Sequence, residues 1–512
     1  MDDREIELKL ALAPDDLMRL RKGRCLGDGA SGPPKIKHLF SIYFDTPDFA
    51  LGALGLSLRL RRTDSGFVQT VKTAGTTTSG LFVRNEWEAP VKSECLDRAH
   101  LLTTGVDILA DPALLDRLVP VFSTQVERTL YCLKDADLSW EIEVALDLGE
   151  VAAGALREPI CEVELELVCG EADCLFRLAR LLLEEVPARP MGVSKSERGY
   201  RLASGVALKP AKAKAPALLP ESGVADAFQT IARACLDHLL LNERCLLAGG
   251  DGEAIHQMRV ALRRLRSALK VFRSVLDGPQ LEGIKAEIRW LLAHLGPARD
   301  SEVFLAEIIE PVLSKHPNDK QLQVLRTLWQ ADREAKLAVA LTAVRDPRFC
   351  FMVLDIGQWV ERGDWLSQGG KRHRRKLAAP VAPFAAKRQE KAMGKLVAAA
   401  GKGLRHLCHE DLHQVRILGK QLRYAGEFFA SLMERKRSKA FLSELSLLQD
   451  LLGNLNDIAV AGPKLTGKQA QAGSARAAGL VAGWHHRRRS GLLTEAEKAW
   501  KRWRSCPLPW RE

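Results

Sequence analysis

The chain has 512 residues, more than a single hydrophobic core usually organises, so the length predicts two or three domains. A hydrophobic fraction of 46% and a charged fraction of 27% are typical of a globular protein in water. The net charge of +12 is unevenly spread, since residues 1–202 hold 25 Lys and Arg against 33 Asp and Glu, and residues 203–512 hold 51 against 31. The basic half is expected to attract a polyanion, and nucleic acid, an anionic membrane and polyphosphate all stay open at this point.

The sequence contains no signal for a membrane or an oxidising compartment. No stretch approaches the roughly 20 apolar residues that a transmembrane helix needs. The acidic start MDDREIELKL lacks the basic and apolar regions of a secretory signal. The eleven cysteines form no CxxC pair, and the loose group Cys161, Cys169 and Cys174 fits no zinc site. We therefore expect a soluble, cytoplasmic protein with reduced cysteines.

Short runs of alternating polar and apolar residues dominate the first 200 residues, and this period of two predicts β-strands. Eight runs lie near residues 4–11, 37–45, 55–63, 66–73, 82–89, 122–133, 138–148 and 159–168. Helical patterns lie near residues 13–23, 96–118 and 171–186. Eight strands are enough to close a barrel with a narrow interior. We predict an α+β domain in which flanking helices accompany an eight-stranded antiparallel β-barrel.

The composition changes at Lys209–Ser222 (KPAKAKAPALLPES), where Pro, Ala and Lys are typical of a semi-stiff linker. Beyond it the hydrophobic period becomes 3.6, which predicts an all-α region. Helices are expected near residues 223–248, 252–276, 279–295, 300–315, 318–344, 349–361, 382–399, 409–433, 438–453 and 475–502. Gly369–Lys376 is expected to be a loop or a helix start, and Pro463–Gly473 a second flexible connection. The predicted domains are 1–202 and 223–505, with a linker at 203–222.

An internal repeat lies within the helical half. The motif HQMR at His256 is matched by HQVR at His413, and each unit continues to a Leu-Gly pair, expected to form a turn, and an Asp. The separation from His256 to Asp300 and from His413 to Asp457 is 44 residues in both units. Equal spacing over that length indicates a duplicated multi-helix unit.

The polar faces of the predicted strands mix cations with carboxylates. They are Glu5, Glu7 and Lys9; Arg59 and Arg61; Thr70 and Lys72; Arg84, Glu86 and Glu88; Glu141, Glu143 and Asp147; and Glu162, Glu164 and Glu166. Arg128, Lys195 and Arg198 are expected near strand ends. Any one strand would suit a solvated charged face, but closure of the barrel would put these faces inside, where the charges must be mutually satisfied. Such an interior suits a metal-bound polyphosphate, because Arg and Lys hold phosphate oxygens and carboxylates hold hard divalent cations.

The order of these elements resembles the CYTH family, the triphosphate tunnel metalloenzymes. The opening ExExK at Glu5 matches the family signature, and the LRLR strand at 58–61, Lys72 and the ExE at Glu162 follow in the family's order. ExExK alone is a weak signal, but the ordered set extends over most of residues 1–202. The resemblance implies an eight-stranded tunnel that hydrolyses a triphosphate, with Mg²⁺ or Mn²⁺ as cofactor.

By position, the resemblance assigns roles inside the tunnel. The catalytic group is Glu5, Glu7 and Lys9, and the metal ligands are Glu5, Glu7, Glu162 and Glu164. The triphosphate-binding cations are Lys9, Arg59, Arg61, Lys72, Arg84, Arg128 and Lys195. A second metal or the orientation of the attacking water falls to Glu141, Glu143, Asp147 and Glu166. Glu88 and Arg198 suit a surface role as well as a tunnel role.

Two basic stripes follow from the helical periodicity of the repeat. Positions i, i+3, i+7 and i+10 of a helix lie within an arc of roughly 80°. One stripe is His256, Arg259, Arg263 and Arg266, and its twin is His413, Arg416, Lys420 and Arg423. A single stripe would suit a solvated face, but two with equal spacing favour a shared anion site across a groove or pore.

This half resembles the CHAD family, the conserved-histidine α-helical domain, in the histidine-led basic helices of both repeats over about 223–505. The resemblance implies two pseudosymmetric four-helix units that bind inorganic polyphosphate. The second unit departs from the first, since Lys420 and Gln421 replace an Arg-Arg pair and Glu427 occupies the place of Lys270. The second stripe is therefore expected to bind more weakly.

These observations predict an inorganic triphosphatase fused to a polyphosphate-binding domain, with inorganic triphosphate and polyphosphate as ligands. Adenylate cyclase and thiamine triphosphatase stay open, although Tyr43, Phe44, Phe67 and Phe82 suit the barrel wall better than a base-stacking pocket. A non-catalytic polyphosphate-binding protein is a further alternative, against which the intact ExExK argues. Nucleic-acid binding lacks any RRM, KH, zinc-finger or helix-turn-helix pattern. The oligomeric state does not follow from the sequence.

Overall fold

The computed structural model describes residues 4–27, 30–63, 66–135, 139–250, 252–465 and 474–511. The chain divides into two compact units. The tunnel unit contains the chain up to Lys209 together with Asp346–Arg362. The helical unit contains Pro210–Arg345 and the chain from Gly363 onward. Among the described residues, no helix combines the length and the apolar character that a membrane crossing requires.

Ten strands form one sheet within the described part of the tunnel unit. They are β1 (Arg4–Leu12), β2 (Lys35–Asp45), β3 (Ser57–Thr63), β4 (Gly66–Lys72), β5 (Thr76–Thr78), β6 (Leu81–Val91), β7 (Val119–Lys134), β8 (Glu141–Ala153), β9 (Leu156–Cys169) and β10 (Ala188–Pro190). Eight of them close an antiparallel barrel in the order β1-β9-β8-β7-β2-β3-β4-β6, because β6 pairs back with β1. This confirms the predicted barrel. The short strands β5 and β10, which pair with β6 and β1, are not predicted by the sequence pattern.

Among the described residues up to Lys209, seven α-helices accompany the barrel. They are α1 (Pro14–Lys22), α2 (Arg24–Gly27), α3 (Ala50–Ala53), α4 (Arg98–Thr103), α5 (Pro112–Leu115), α6 (Asp173–Glu185) and α7 (Lys195–Ala203). The helical stretch expected at 96–118 is wrong as one element, because it breaks into α4, a 3₁₀ turn and α5. Gly105 has a φ of 67°, which ends the first helix, and Asp111 caps a new one that begins at Pro112.

The barrel has polar residues inside and apolar residues outside. On β1, Leu8 and Leu10 alternate with Lys9 and are fully buried on the outer face. Helix α6 packs on β1 and β9, and α1 packs on β8 and β9, so the outer face has an apolar cover. The charged residues of each strand are thereby directed into the barrel.

Helix α7 closes one end of the barrel. Tyr200 of this helix packs edge-on against Phe122, which stacks on Tyr43 at 4.4 Å between ring centroids. Gly199 is required at this contact, since a Cβ there would lie 2.1 Å from the Phe122 ring. Lys195 and Arg198 do not lie at strand ends, as their sequence positions predicted, but in α7, with Lys195 in its first turn.

The helical unit contains eleven helices within its described residues. They are α8 (Val224–Leu247), α9 (Gly252–Val271), α10 (Gln280–Val303), α11 (Glu310–Leu313), α12 (Lys320–Arg345), α14 (Asp364–Ser367), α15 (Lys371–Leu377), α16 (Val381–Ala400), α17 (His409–Phe428), α18 (Arg435–Leu465) and α19 (Ala475–Arg504). The long helices form two groups, α8-α9-α10-α12 and α16-α17-α18-α19, and each helix packs on the next within its group. The groups meet through α9 against α17 and α12 against α19.

A pseudo-twofold axis relates the two groups. Helices α8 and α16 begin at Val224 and Val381, which are 157 residues apart, as are His256 and His413. The Val224 amide donates to the Ala379 carbonyl at 3.0 Å, and the Val381 amide donates to the Ser222 carbonyl at 2.9 Å. Each bond is the other's equivalent with donor and acceptor units exchanged, which is the contact that a twofold axis produces.

One local prediction in this half is wrong. The Leu-Gly pairs at Gly296 and Gly453 form no turns, because they lie within α10 and α18. The glycines leave space for stripe arginines, since a Cβ on Gly296 would lie 3.5 Å from Arg259 and one on Gly453 would lie 3.9 Å from Arg416. The helix start expected within Gly369–Lys376 is confirmed, because α15 begins at Lys371. The connection expected at Pro463–Gly473 lies mostly outside the described residues, with Pro463 still within α18.

One helix from the second half of the sequence belongs to the tunnel unit. Helix α13 (Pro347–Arg362) packs on α6. Its Asp355 accepts from Arg180 at 2.6 Å, and its Gln358 donates to Asp173 at 2.6 Å. The predicted second domain, residues 223–505, therefore contains one helix, α13, that belongs to the tunnel unit.

Candidate functional site

A cavity of about 300 Å³ occupies the barrel. Its charged lining residues are Lys9, Lys37, Arg59, Arg61, Lys72, Arg84, Arg128 and Lys195, together with Glu5, Glu7, Glu86, Glu88, Glu143, Glu164 and Glu166. All seven cations predicted to bind triphosphate are in this set. Lys37 and Glu88 are exposed to solvent and mark the mouth. The opposite end is closed by α7.

The carboxylates of β1 are held by cations from neighbouring strands. Pairing of β1 with β6 places Glu5 opposite Arg84, which donates to Glu5 at 2.8 Å and also to Glu7. Lys72 of β4 contacts Glu5 at 2.7 Å. Lys9 contacts Glu7 at 3.0 Å and Glu164 of β9, so it joins the β1 carboxylates to those of β9. All of these side chains are nearly inaccessible to solvent.

A second acidic group lies deeper in the barrel. Asp147 of β8 stands opposite Glu162 of β9, and with Glu164 they bring three carboxylate oxygens within 4.8 Å of one another. Lys195 of α7 contacts all three, at 2.7 Å for Asp147, 2.5 Å for Glu162 and 2.9 Å for Glu164. Arg128 contacts Asp147 at 2.6 Å. Burial raises the pKa of Glu164, but Lys195, Lys9 and Arg128 outweigh burial and hold that pKa well below its usual range.

Two charged side chains of the cavity have no ion-pair partner within the described residues. Among the described residues Arg61 has no carboxylate partner, and its contact is with the Ser41 hydroxyl at 3.2 Å. Burial, together with the nearby Arg59 and Arg128, lowers the pKa of Arg61 to about 10. On the other side, Glu166 has no cation in hydrogen-bond contact within the described part of the chain. Burial and the Glu5 carboxylate raise the pKa of Glu166 to about 7.

The predicted metal ligands fall into two neighbouring groups. Glu162 and Glu164 lie together with Asp147, whereas Glu5 and Glu7 lie with Lys72 and Arg84. Lys9 bridges the groups. Glu143 lines the cavity. Asp147 does not line it but contacts Lys195, which does.

Glu141 lies away from the cavity. Its carboxylate contacts Lys134, which stands opposite it on β7, at 3.1 Å, and accepts from the Cys132 thiol. Arg198 contacts Glu162 at 3.2 Å and Glu158 at 2.8 Å beneath the cavity.

Sequence reasoning missed two features of this site. Glu86 was assigned no role, yet it contacts Lys72 at 2.9 Å and Arg59 at 3.5 Å. Helix α7 was also missed, although Ser194-x-x-Glu197 is the pattern of a capping box. In the structure the Ser194 hydroxyl accepts from the Glu197 amide at 3.2 Å, and the Glu197 carboxylate accepts from the Ser194 amide at 2.7 Å. This cap fixes Lys195 at the start of the helix, where it enters the cavity.

The two basic stripes meet where α9 packs on α17. Arg263 of α9 lies close enough to Arg416 and Lys420 of α17 to lower the pKa of both, in addition to the larger effect of burial. The pKa of Lys420 falls to about 7. Asp457 outweighs the effect of Arg263 at Arg416, but it offsets the repulsion at Lys420 only in part.

The remaining stripe residues differ in their surroundings. Arg259 donates to the Leu295 and Gly296 carbonyls and contacts Asp300 at 3.1 Å. Burial and Arg299 lower the pKa of His256 to about 4, so this imidazole is neutral near pH 7. The His413 ring is hydrogen-bonded to Asn456 at 2.7 Å. Arg266 is exposed, and Arg423 contacts Glu427 at 3.1 Å.

Known protein families match two separate stretches of the chain. The model of the CYTH domain matches residues 3–200, and the model of the CHAD domain matches residues 230–466. A crystal structure of the CHAD domain from the plant Ricinus communis is 30% identical, covers 59% of this chain and 99% of that chain, and superposes with a TM-score of 0.52. The chain joins a CYTH domain to a CHAD domain.

Two protein relatives extend the comparison. An inorganic triphosphatase of Haemophilus influenzae is 33% identical over 201 residues, which are 39% of this chain and 55% of that protein. The CYTH–CHAD chain thus spans about half the length of this relative. An uncharacterized protein of Mycobacterium tuberculosis is 27% identical over 451 residues, which are 83% of this chain and 81% of that protein.

Proposed function

We propose that the CYTH domain hydrolyses inorganic triphosphate to pyrophosphate and orthophosphate, with Mg²⁺ or Mn²⁺ as cofactor. The observation that supports this most strongly is the cavity itself, in which eight cations line about 300 Å³ and Arg61 has no carboxylate partner among the described residues. A small anion with charge on every unit suits such a space. Arg59, Arg61 and Arg128 offer planar guanidinium groups for bidentate contacts to phosphate oxygens.

The carboxylates of the cavity fit a hard divalent cation. Glu166 is a partly buried carboxylate whose pKa is raised by burial and by Glu5, and a bound cation would remove this penalty. Two groups are suited as ligands: Glu5, Glu7 and Glu166, and Asp147, Glu162 and Glu164. When bound, the cation supplies Lewis-acid neutralisation of phosphate charge and favours a hydroxide nucleophile. Glu143, at the cavity wall, is a candidate to orient the water.

The chain's own residues bind the substrate and exclude water. Lys9 and Lys195 are held as cations, because burial lowers the pKa of each and neighbouring carboxylates raise it further than burial lowers it. They are placed to neutralise charge that develops on the phosphate during bond cleavage. Because α7 closes one end, substrate and products pass through the mouth at Lys37 and Glu88. At the other end Phe122, Tyr43 and Tyr200 pack together, and this apolar packing restricts the access of water from that side.

The aromatic residues near the cavity argue against an organic-group pocket. Tyr43 and Phe122 stack on each other and are buried, which covers one face of each ring and leaves little exposed aromatic surface for a nucleobase or thiazole. This favours inorganic triphosphate over ATP or thiamine triphosphate as substrate.

The proposed substrate is tested by comparing orthophosphate release from inorganic triphosphate, ATP and thiamine triphosphate, with Mg²⁺, Mn²⁺ or chelator. Cyclic AMP is measured in parallel in the ATP reaction. We expect metal-dependent release that is fastest from inorganic triphosphate, with no cyclic AMP. Faster turnover of ATP or thiamine triphosphate would identify that compound as the substrate instead. Formation of cyclic AMP would identify a cyclase that acts on ATP.

We propose further that the CHAD domain binds polyphosphate along the two stripes. The support is the crowding of Arg263, Arg416 and Lys420, whose mutual repulsion a polyanion would relieve. Arg263→Gln/Lys420→Gln is expected to weaken polyphosphate binding at a fixed salt concentration. The exposed pair Lys436→Gln/Lys439→Gln on α18 serves as a charge-matched control. Tighter binding of duplex DNA than of polyphosphate in the same buffer would contradict the assignment.

Coupling between the domains needs variants of the full chain. Removal of residues 223–512 would also remove α13, which belongs to the tunnel unit and packs on α6. If the CHAD domain delivers polyphosphate to the tunnel, Arg263→Gln/Lys420→Gln will slow turnover of long chains and leave inorganic triphosphate turnover unchanged. An equal effect on both substrates, or on neither, would contradict delivery.

A further inference from the structure

The pseudo-twofold axis of the helical unit generates two equivalent grooves, and the chain itself fills one of them. In this linker groove the extended segment 211–218 lies against α8, α9 and the turn after α17. His238 and the Asn242 amide contact the Ala211 carbonyl at 2.8 and 3.0 Å. Arg264 donates to the Lys214 carbonyl at 3.4 Å, and the Ser431 hydroxyl donates to the Leu218 carbonyl at 3.2 Å. Side chains of the groove thus bind backbone groups of an extended chain.

The equivalent positions lie 157 residues away and form an open groove. His238 corresponds to Lys395, Arg264 to Gln421, and Ser431, read in the other direction, to Ser274. These three residues all line a cavity of about 370 Å³ between α9, α16 and α17. In the linker groove, three polar side chains at these positions bind segment 211–218. The open groove also has polar side chains at the three equivalent positions.

The charge of the open groove differs from that of the linker groove. Five cations line it: Lys270, Arg273, Arg388, Lys391 and Lys395. Of its described lining residues none is acidic, and the floor is aliphatic, with Val271, Ala392, Leu418 and Ala425. In the linker groove Glu427 occupies the position of Lys270 and pairs with Arg264. The open groove lacks that neutralisation.

The cations of the open groove are crowded and are held by neutral partners. Lys270 donates to the Gln421 side chain at 2.7 Å, and Arg388 donates to the Ser274 hydroxyl. Burial and the nearby Lys395 lower the pKa of Lys270, and burial lowers that of Arg388. Arg273 also faces Glu282, outside the lining. An anion bound in the groove would be attracted by these cations and would offset their mutual repulsion.

We propose that the open groove is a separate binding site for an extended oligophosphate, which takes the place that segment 211–218 takes in the linker groove. Phosphate oxygens would accept from Lys395, Gln421 and Ser274, as backbone carbonyls accept in the counterpart. A phosphate chain carries charge on every unit, whereas an extended acidic peptide directs alternate side chains away from the groove. Five cations in one short groove therefore favour the phosphate chain. This site depends neither on tunnel hydrolysis nor on the stripes.

Lysine acetylation of the full-length protein tests the site directly. The protein is treated with acetylating reagent in chelator, which prevents hydrolysis, with and without saturating linear polyphosphate, and each lysine is quantified by mass spectrometry. We expect acetylation of Lys391 and Lys395 to fall by roughly threefold or more, since bound phosphates shield them. The exposed lysines Lys436, Lys439 and Lys498 serve as controls and are expected to be unaffected. Equal protection of the controls, or none at Lys391 and Lys395, would overturn the proposal.

Separate variants distinguish this site from the stripes. In Arg263→Gln/Lys420→Gln, protection of Lys391 and Lys395 is expected to persist, and its loss would show that they respond only to ligand on the stripes. In the Arg263→Gln/Lys420→Gln background, in which the stripes are weakened, Lys270→Gln/Lys391→Gln/Lys395→Gln is expected to weaken the remaining polyphosphate binding by roughly tenfold and to flatten its salt dependence. Lys436→Gln/Lys439→Gln/Lys498→Gln, with the same change in charge, is expected to retain wild-type affinity.

Three further probes identify the ligand. Inorganic triphosphate and ATP, used in place of polyphosphate, distinguish a chain site from one for a single short phosphate group. Protection by polyphosphate at lower phosphate concentration than by ATP supports the proposal. Stronger protection by polyglutamate than by polyphosphate would overturn it and assign the groove to an acidic peptide.

Discussion

Arg264 of α9 forms an ion pair with Glu427 of α17, and the pseudo-twofold axis repeats this contact with Gln421 and Lys270 in the exchanged positions, 2.7 Å apart. The duplication has therefore kept the geometry and changed the charge. From the sequence alone, Glu427 in place of a basic residue predicts that the second stripe binds polyphosphate more weakly. In the structure it neutralises the arginine that holds the linker, and leaves its equivalent Lys270 in the open groove.

Loss of Glu427 is expected to destabilise the helical unit. The Arg264 side chain is 5% exposed, so Glu427→Gln would leave a buried cation without its counter-charge. We expect the free energy of unfolding to fall by about 1–3 kcal/mol. Lys270→Gln, at the equivalent position, removes an exposed cation and should change it by about 0.5 kcal/mol or less. Urea unfolding of both variants measures the difference, and equal effects would contradict this account of the contact.

Arg61 is expected to serve substrate binding more than stability. Because it has no carboxylate partner among the described residues, Arg61→Gln removes an uncompensated charge and should leave the melting temperature unchanged or raised. The KM for inorganic triphosphate should rise by roughly tenfold or more, since a charge-assisted contact is lost. Its neighbour Arg62 is exposed, and Arg62→Gln is the control. An unchanged KM in Arg61→Gln would show that substrate does not reach this wall.

Glu166 makes the metal-free protein sensitive to pH. Its folded-state pKa of about 7 lies above the ordinary value of 4.5, so protonation favours the folded state. The contribution is fully present below pH about 4.5 and is lost as the pH rises through about 7. In chelator, wild type should therefore lose stability relative to Glu166→Gln over this interval, by an amount on the order of 2 kcal/mol. Thermal unfolding across this pH range measures it, and a difference independent of pH would refute the assignment.

Lys420 is expected to make polyphosphate binding pH-dependent. It faces Arg416 and Arg423 on its own helix, Arg263 on α9, and Asp457 and Asp450 on α18. Its pKa of about 7 means that it loses its proton as the pH rises from 6 to 9, and a polyanion binds the protonated form more tightly. The affinity should fall by roughly tenfold over this range.

Calorimetric titration in buffers of different ionisation enthalpy would detect the coupled proton uptake near pH 8. Lys420→Arg should abolish both effects, because arginine stays charged throughout. The control Lys436→Arg should retain them. A pH dependence unchanged in Lys420→Arg would contradict the role of this lysine.

The sequence predicts the barrel well because each strand carries its alternation locally. Glu5, Glu7 and Lys9 indicate their shared face without any knowledge of partners. What pairs with them does not follow from spacing, because strand register joins residues far apart in the chain, as with Lys9 and Glu164. The absence of a carboxylate beside Arg61, among the described residues, is likewise a property of the closed barrel.

The helices of the second half were predictable because each carries its own hydrophobic period. The wrong predictions in this half have local causes. The constant offset of 157 residues is visible in the sequence as the spacing of His256 and His413. Gly296 suggested a turn, since glycine is common at helix ends. Here it instead lets Arg259 approach the backbone of α10. Helix α13 carries no sequence signal that would assign it to the tunnel unit.

The most direct test of the central claim is metal-dependent orthophosphate release from inorganic triphosphate by wild type and by Glu5→Gln/Glu7→Gln. Glutamine retains an acceptor for Lys72 and Arg84, so the change removes charge from the cavity while the barrel stays intact. Glu94→Gln/Glu185→Gln, at two exposed positions of the tunnel unit, is the charge-matched control. The account predicts rapid release by wild type and by the control with Mg²⁺ or Mn²⁺, and a loss of roughly a hundredfold or more in Glu5→Gln/Glu7→Gln. Wild-type release that needs no divalent ion, or that survives this double substitution, would contradict it.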